Sequence, residues 1–527
     1  MEGQSNIKNK FLWYAMGTVI ILLFLVTRFL RVTSIPAGLH IDEIGMAYDA
    51  WSLSQYGFDR YLKSWPVYLN NFGSGQSALY CYLCAGLFKL FGYHVILVRL
   101  PGIFSSFLTL IFGILLTKKI FSKELYLSLL TGFMVVVCPY FIMASRFGLD
   151  CNLMLGFSGA FLYFFTCAME KGRYRWYILA GFFGGLVLYT YAISYLVMIL
   201  FLVSGLLYII RCRRFSFWHW FSMAIPMGIL AFPLLLVQLI NIFELSEMTL
   251  GIFTIVRLIP YRGAEIGMPQ WSSLIQTLKS IFGGDDLIYN SIPGLPNLTY
   301  LTLPFFVIGL VDMVYRFFCM TKRKTFDLLS FPLLWFASML FIGSMIDSNS
   351  NKINGIFLTV VVIAVDGIHV LIDVLKTNGK KIALIAGIAY SLCFLYFANY
   401  YYTGKYTADN YPLNYFWIMV SEAIGFLEEN PQYQNLGTYM AQPGICFALS
   451  SLQSPEELGK ITDVGVYNEY YHTGSLQMMG EGYNYIVTDI YADFADELRA
   501  MGYTEINYTG YSLFLWNSSI EQVEGEQ

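Results

Sequence analysis

The chain has 527 residues, of which 57% are hydrophobic and 13% charged, with 32 Lys and Arg against 35 Asp and Glu. A soluble domain carries about 25% charged residues, and the mean hydropathy here is +0.57, so an ordinary soluble enzyme is excluded. The net charge of −3 says little, because the positive charges are unevenly spread; the expected surroundings are a lipid bilayer, and no nucleic-acid partner is expected.

Apolar runs of about 18–25 residues recur through the first three quarters, each long enough for a hydrocarbon core of about 30 Å. The first, "FLWYAMGTVIILLFLVTRFL" (Phe11–Leu30), is too long for a signal h-region and lacks a small-residue cleavage pattern. It reads as a signal-anchor span. A long loop, 31–93, follows. Near its start, "GLHIDEIGMAYDAW" (Gly38–Trp51) places two carboxylates side by side, Asp42 and Glu43. Asp42 reads as a helix N-cap ahead of an apolar face of Ile44, Tyr48 and Trp51, as a functional carboxylate, or as both. Glu43 suits the positive end of the same helix. His40 has no metal-spaced partner and reads as structural.

"SGQSALYCYLCAGLFKLFG" (Ser74–Gly92) resembles a span. The charge pattern of later loops argues otherwise. The tail with Lys8 and Lys10 and the loops Thr117–Glu124, Glu170–Trp176, Arg211–Phe215, Thr321–Thr325 and Lys376–Lys381 are all basic, which makes them cytoplasmic. If Ser74–Gly92 crossed, five of these clusters would lie outside. It is therefore read as a helix on the outer interface, where Gln76, Lys89 and its aromatics fit. Cys81 and Cys84 within it read as buried apolar cysteines rather than a metal or redox pair.

Eleven spans remain, near 11–30, 94–117, 124–143, 152–170, 176–191, 193–210, 217–240, 301–319, 328–346, 353–374 and 381–401. The N-terminus is then inside and the C-terminus outside. The outward loops carry the remaining candidates. Arg99 opens the second span in "LVRLPG". "ASRFGLDCN" (Ala144–Asn152) supplies Arg146 and Asp150, and "YTYAISY" (Tyr189–Tyr195) supplies Tyr191. The long loop 241–300 holds Arg257, Arg262 and Asp285, and "DSNSNKIN" (Asp347–Asn354) ends with Lys352 and Asn354. Ionisable groups near membrane depth face a cavity or a partner, although interfacial snorkelling also accounts for Arg146 and Lys352. Asp312 and Asp366 fall in cytoplasmic halves of spans and are expected to pair internally, with Arg316 a candidate. From Thr403 onward no segment can span. "YFWIMVSEAIGFLEEN" (Tyr415–Asn430) has helical spacing. "YNYIVTD" (Tyr483–Asp489) and "YSLFLWN" (Tyr511–Asn517) read as strands with a helix, Ile490–Gly502, between them. The chain thus divides into a membrane domain, 1–402, and a small extracytoplasmic α/β domain, 403–527.

The order of "IDE", "LFGYHVILVRLPG", "SRFGLDCN" and "YTYAISY" over roughly Phe11–Tyr401 resembles the GT-C glycosyltransferases. It is most similar to the branch of protein O-mannosyltransferases and the lipid A aminoarabinose transferase, glycosyltransferase family 39 and its bacterial relatives. The resemblance implies a polytopic α-helical enzyme that moves a sugar from a polyprenyl-phosphate donor, at the outer leaflet, to an acceptor hydroxyl on a glycan, lipid or protein, in most relatives with inversion. Asp42 matches the family's essential carboxylate, with Glu43 beside it, and Asp150 matches a second acidic position. Arg99 matches the arginine opening the second span, and Lys352 falls near a basic residue for the lipid phosphate. Arg146, Asn354, Tyr191 and Arg262 are further candidates for binding donor or acceptor. Members using a monophosphate donor generally lack a metal, so none is expected, although the oligosaccharyltransferase branch uses a divalent ion. A transporter or flippase of lipid-linked intermediates also accounts for many spans, but no repeat relates the two halves and no Gly/Pro-broken spans pair up.

Overall fold

The structure, a computed structural model, describes residues 2–71, 74–122, 124–258, 266–284, 291–292 and 294–410. In the C-terminal part it describes 416–417, 421–430, 436–439, 449–450, 452, 454–455, 485–489, 495–508 and 511–516. Arg262 and Asp285 lie outside the described residues.

The chain begins with α1 (Glu2–Phe29), then a two-residue strand β1 (Leu39–His40), α2 (Ile41–Tyr56), the hairpin β2 (Tyr68–Asn71) and β3 (Ser74–Ser77), and α3 (Ala78–Phe91). The main bundle follows: α4 (Val95–Ile120), α5 (Leu125–Val137), α6 (Pro139–Ala144), α7 (Leu153–Lys171), α8 (Tyr174–Leu188), α9 (Ser194–Arg211) and α10 (Phe217–Ile242). A second hairpin, β4 (Met248–Leu250) with β5 (Phe253–Ile255), and α11 (Trp271–Phe282) lead to α12 (Thr302–Arg323), α13 (Ser330–Gly343), α14 (Phe357–Leu375) and α15 (Gly379–Tyr402).

The protein is a multi-pass membrane protein. Apolar runs in lipid must satisfy their backbone groups internally, and helices do so. All eleven segments expected to span are helical. Among the described residues, seven helical segments are long and apolar enough to cross a membrane: 95–120, 150–171, 194–211, 217–242, 302–323, 354–375 and 379–402. Residues 13–29, 125–137, 174–188 and 330–343 form shorter apolar helices at the other four expected positions. The third segment is two helices rather than one. Pro139 has no N–H to continue α5, so the chain turns at Cys138 and restarts with proline in the first turn of α6. The segment Ser74–Gly92 also splits: Ser74–Ser77 is strand, and only the 14 residues of α3 are helical. α3 packs mainly on α2.

α7 and α14 are apolar all round and buried on nearly every side, whereas α10, α12 and α15 expose most of their apolar surface at the rim. α12 and α14 touch through Gly309 and Gly367, where a β-carbon would collide with the carbonyl oxygens of Ile363 and Phe305 respectively. Only glycine lets these backbones approach so closely.

Several termini gather at one end of the bundle. They include the C-terminal ends of α1 and α15, the starts of α4 and α7, and the turn before α14. Arg146 and Asn354 tie this end together, as described below. In the C-terminal part come α16 (Lys405–Asn410), β6 (Phe416–Trp417), α17 (Ser421–Glu429), β7 (Leu436–Tyr439), β8 (Tyr485–Asp489), α18 (Ala495–Ala500), β9 (Thr504–Tyr508) and β10 (Tyr511–Leu515). The sheet order is β7-β8-β10-β9, with β7 parallel to β8 and the other pairs antiparallel. β8 and β10 are the two strands expected from sequence. Phe416 and Trp417, expected to be helical, instead pair as a strand with His40 and Leu39, so the C-terminal part adds a strand directly beside α2.

Candidate active site

The start of α2 separates the two adjacent carboxylates. The N-cap is His40, not Asp42: the His40 Nδ1 accepts from the Asp42 N–H (3.2 Å), and the Glu43 Oε2 accepts from the His40 N–H (2.8 Å). This is a capping box with histidine in the usual Ser/Thr position. The N-cap expectation for Asp42 is therefore corrected. Asp42 is the second residue of the helix, and its side chain is free of capping duty and 42% exposed. Around it stand the Asn71 Nδ2, 3.5 Å from Oδ1, and the His40 Nδ1, 3.7 Å from Oδ2.

Glu43 points the other way and is fully buried. Its Oε1 accepts from the Gly148 N–H at 2.5 Å and lies 3.4 Å from the Arg99 Nε. Arg99, also fully buried, donates to the carbonyls of Val32 (2.5 Å), Pro36 (3.0 Å) and Gly38 (2.5 Å). Arg99 thus holds the strand-poor connection between α1 and α2 against the start of α4. Arg146 does the same for the end of α1. Its two terminal nitrogens donate to Thr27 (3.0 Å), Arg28 (2.9 Å), Leu30 (2.7 Å) and Ile35 (3.0 Å) carbonyls, beneath the rings of Tyr401 and Tyr402. The last carbonyls of a helix have no partner within it, and a cation at that end also complements its dipole. Both arginines are fully buried.

Asp150 sits in a single 3₁₀ turn ahead of α7. It is nearly buried, and its two oxygens accept from the Ser77 N–H (2.8 Å) and the Cys151 N–H (2.8 Å). The charges of Asp42 and Asp150 act on one another. Asn354, fully buried in the turn before α14, donates to the Cys151 carbonyl at 2.5 Å, and its Oδ1 has no hydrogen-bond partner. Tyr191 packs on Phe147, Leu149 and Cys151. The Lys352 N–H donates to the Asn349 side chain two residues before Asn354. The structure therefore brings Asp42, Asp150, Tyr191 and Asn354 around the 147–152 turn, with Lys352 in the adjoining one. Arg257, by contrast, pairs with Glu244 (3.3 Å) on the exposed β4–β5 side. Arg316 pairs with Asp312 (3.7 Å) and Asp327 (3.0 Å). Cys81 and Cys84 are buried, with their thiols near main-chain carbonyls. Among the described residues no three His, Cys, Asp or Glu side chains form a metal-binding group.

Sequence reasoning passed over one charged group. Asp49, on the buried face of α2, is bridged by the Arg60 Nε (3.0 Å) and Nη2 (2.7 Å), and the same Nη2 donates to the Asn71 Oδ1 at 2.7 Å. All three are almost fully buried. Next to them, burial, reinforced by the Asp49 charge, pushes the Asp59 carboxyl up to about 7. An acid amid the apolar face of α2, at "YDAW", was the available signal.

Residues 76–241 match the family model described as dolichyl-phosphate-mannose-protein mannosyltransferase. The fold is similar over its length to ArnT from Cupriavidus metallidurans bound to undecaprenyl phosphate, with a TM-score of 0.61 at 12% identity, covering 96% of this chain and 98% of that one. The chain has the GT-C glycosyltransferase fold. A further match is the archaeal oligosaccharyltransferase AglB from Archaeoglobus fulgidus, in complex with an inhibitory peptide and a dolichol-phosphate. It has a TM-score of 0.52 at 11% identity, covering 97% of this chain and 75% of that one. No curated protein sequence matches the chain. Asp150 lies inside the part covered by the family model, and Asp42 lies before it.

Proposed function

We propose that this GT-C protein transfers a sugar from a polyprenyl-phosphate donor to an acceptor hydroxyl on the outer face of the membrane, with inversion and with Asp42 as general base. The observation that carries the reading is the Asp42 carboxylate: it is half-exposed at the start of α2, lies beside the buried Asp150, and pairs with no Lys or Arg among the described residues. The undecaprenyl phosphate in ArnT and the dolichol-phosphate in AglB support a lipid phosphate as the carrier. An acceptor hydroxyl is a poor nucleophile at neutral pH. A carboxylate within hydrogen-bond reach takes its proton as the new C–O bond forms at the anomeric carbon, an effect worth about 10²–10⁴ in rate. On the opposite side of that carbon the bond to phosphate breaks, and the departing lipid phosphate carries the negative charge.

That charge calls for a fixed cation. Arg99 and Arg146 already donate to main-chain carbonyls, so their part is to hold the loop that presents Asp42, and Lys352 is the cation assigned to the phosphate. Asp150 and Asn354 are the residues assigned to the sugar hydroxyls. The reading requires no metal, and the orientation follows from the basic loops at the opposite helix ends.

The test is transfer by detergent-purified protein from a panel of undecaprenyl-phosphate-linked monosaccharides, comparing wild type with Asp42→Asn. Turnover should fall by about 10² or more in the variant, because the base is lost at nearly constant shape. Wild-type turnover in Asp42→Asn with the true donor overturns the mechanism. Transfer that required a sealed membrane would favour a flippase instead.

A further inference from the structure

The hairpin β2–β3 touches both acidic residues. At one end of β3, the Ser77 N–H donates to Asp150 (2.8 Å). At the end of β2, Asn71 reaches Asp42 (3.5 Å). Tyr68 pairs with Ser77 and Asn71 with Ser74, so the two contacts sit at opposite ends of one four-residue ladder.

An asparagine amide can present either oxygen or nitrogen, and its neighbours decide which. Here the neighbour is Arg60, whose guanidinium only donates. Its Nη2 lies 2.7 Å from the Asn71 Oδ1, which turns the Asn71 Nδ2 toward Asp42. Arg60 is itself held by Asp49 through two side-chain bonds of 3.0 and 2.7 Å and by its own N–H (3.1 Å) to the same carboxylate. A bidentate pair of this kind fixes direction as well as charge. None of Asp49, Arg60 and Asn71 is more than 3% exposed, so solvent does not reorient them.

We propose that Asn71 is a positioning residue for Asp42, oriented by the Asp49–Arg60 pair, and that its amide donor favours the ionised carboxylate and aims it at the acceptor. This rests on the reading of Asp42 as the base. A donor to a carboxylate stabilises the charged form over the neutral one. Other groups act on Asp42 from the packed elements: His40 from its own loop, and Asp150 and Cys151 from the turn before α7.

The experiment follows modification of Asp42 in the full-length protein in detergent. A water-soluble carbodiimide with glycine ethyl ester amidates protonated carboxyls, and the peptide carrying Asp42 is quantified against the exposed Glu244 across pH. In Asn71→Leu the amidation curve of Asp42 should move to higher pH, by an amount equal to about threefold or more in proton affinity. Asn71→Asp keeps the acceptor for Arg60, is isosteric, and sets a second charge against Asp42, so it should move the curve further. It also serves if Asn71→Leu does not fold. Transfer by Asn71→Asp should show a reduced kcat with the donor KM changed less than threefold. An Asp42 curve unchanged in the folded variants overturns the proposal. If Asp42→Asn is inactive while the curves do not move, only this inference falls. If Asp42→Asn is fully active, the base reading falls, and the curves still decide whether Asn71 governs ionisation.

Discussion

Asp42 and Glu43 are neighbours in sequence with the same chemistry, yet they belong to two different regions. An α-helix advances about 100° per residue, so at the start of α2 one carboxylate looks toward the β2–β3 hairpin and the other into the bundle. Glu43 joins a buried frame with Arg99 that clasps the connection from α1. Asp42 remains half-exposed, beside His40 and Asn71 and with no Lys or Arg partner among the described residues. The frame is saturated with main-chain partners, and the site is left with capacity to bind. A pair of acids in a sequence is thus not one structural unit: Glu43 belongs to the frame that holds the geometry, and the proton transfer is proposed for Asp42 alone.

The largest expected effect falls on the frame. Arg99→Met leaves Glu43 buried without its cation, and Glu43→Leu leaves Arg99 without its anion. Breaking a buried pair from one side costs about 3–5 kcal/mol. Each single variant should therefore show severe loss of folded protein by size-exclusion chromatography. The double variant should recover part of it, since no lone buried charge remains. If the single variants were as stable as wild type, the frame would not be the support described. A smaller effect is expected from Lys352→Gln: donor turnover falls by about tenfold or more with folded yield unchanged, and equal turnover would remove Lys352 from the site.

The smallest effect concerns the pH dependence of the loop that backs Asn71. The Asp59 carboxyl is raised in the fold to about 7, first by burial and then by Asp49. A raised acid favours the fold in its neutral form. That stabilisation is complete below the ordinary aspartate range and is lost as pH rises through about 7. Asp59→Asn should keep the turn, because the bonds from the Tyr61 and Lys63 N–H groups go to a single oxygen. It should narrow the difference in Tm between pH 5 and pH 8 by about 2 °C. An unchanged difference would place the pH dependence elsewhere.

Much of the architecture was legible because lipid imposes long apolar runs, and all eleven expected segments are helical. The compartment of each end was inferred from basic loops alone. Cysteines placed at Lys89 and Lys119 test it with an impermeant thiol reagent: labelling from outside is expected at 89 only, and labelling at 119 would refute the eleven-span count. Local chemistry was less legible where its partners are distant in sequence. Arg146 bonds to carbonyls more than a hundred residues earlier, so its part as a cap on α1 left no local trace. His40 as N-cap was missed because histidine is not among the favoured caps, although "HIDE" has the spacing of a capping box. Asp49, Arg60 and Asn71 lie on different elements, α2, the loop after it and β2, and only the hairpin brings them together.

The most direct test sets the two neighbours against each other. Asp42→Asn and Glu43→Gln are compared for thermal unfolding in detergent and for sugar transfer from the same undecaprenyl-phosphate donor. The account predicts that Asp42→Asn keeps the wild-type Tm and loses about 10² or more in turnover, while Glu43→Gln lowers Tm and loses activity only as folded protein is lost. Wild-type turnover in a folded Asp42→Asn, or a stable but inactive Glu43→Gln, would contradict it.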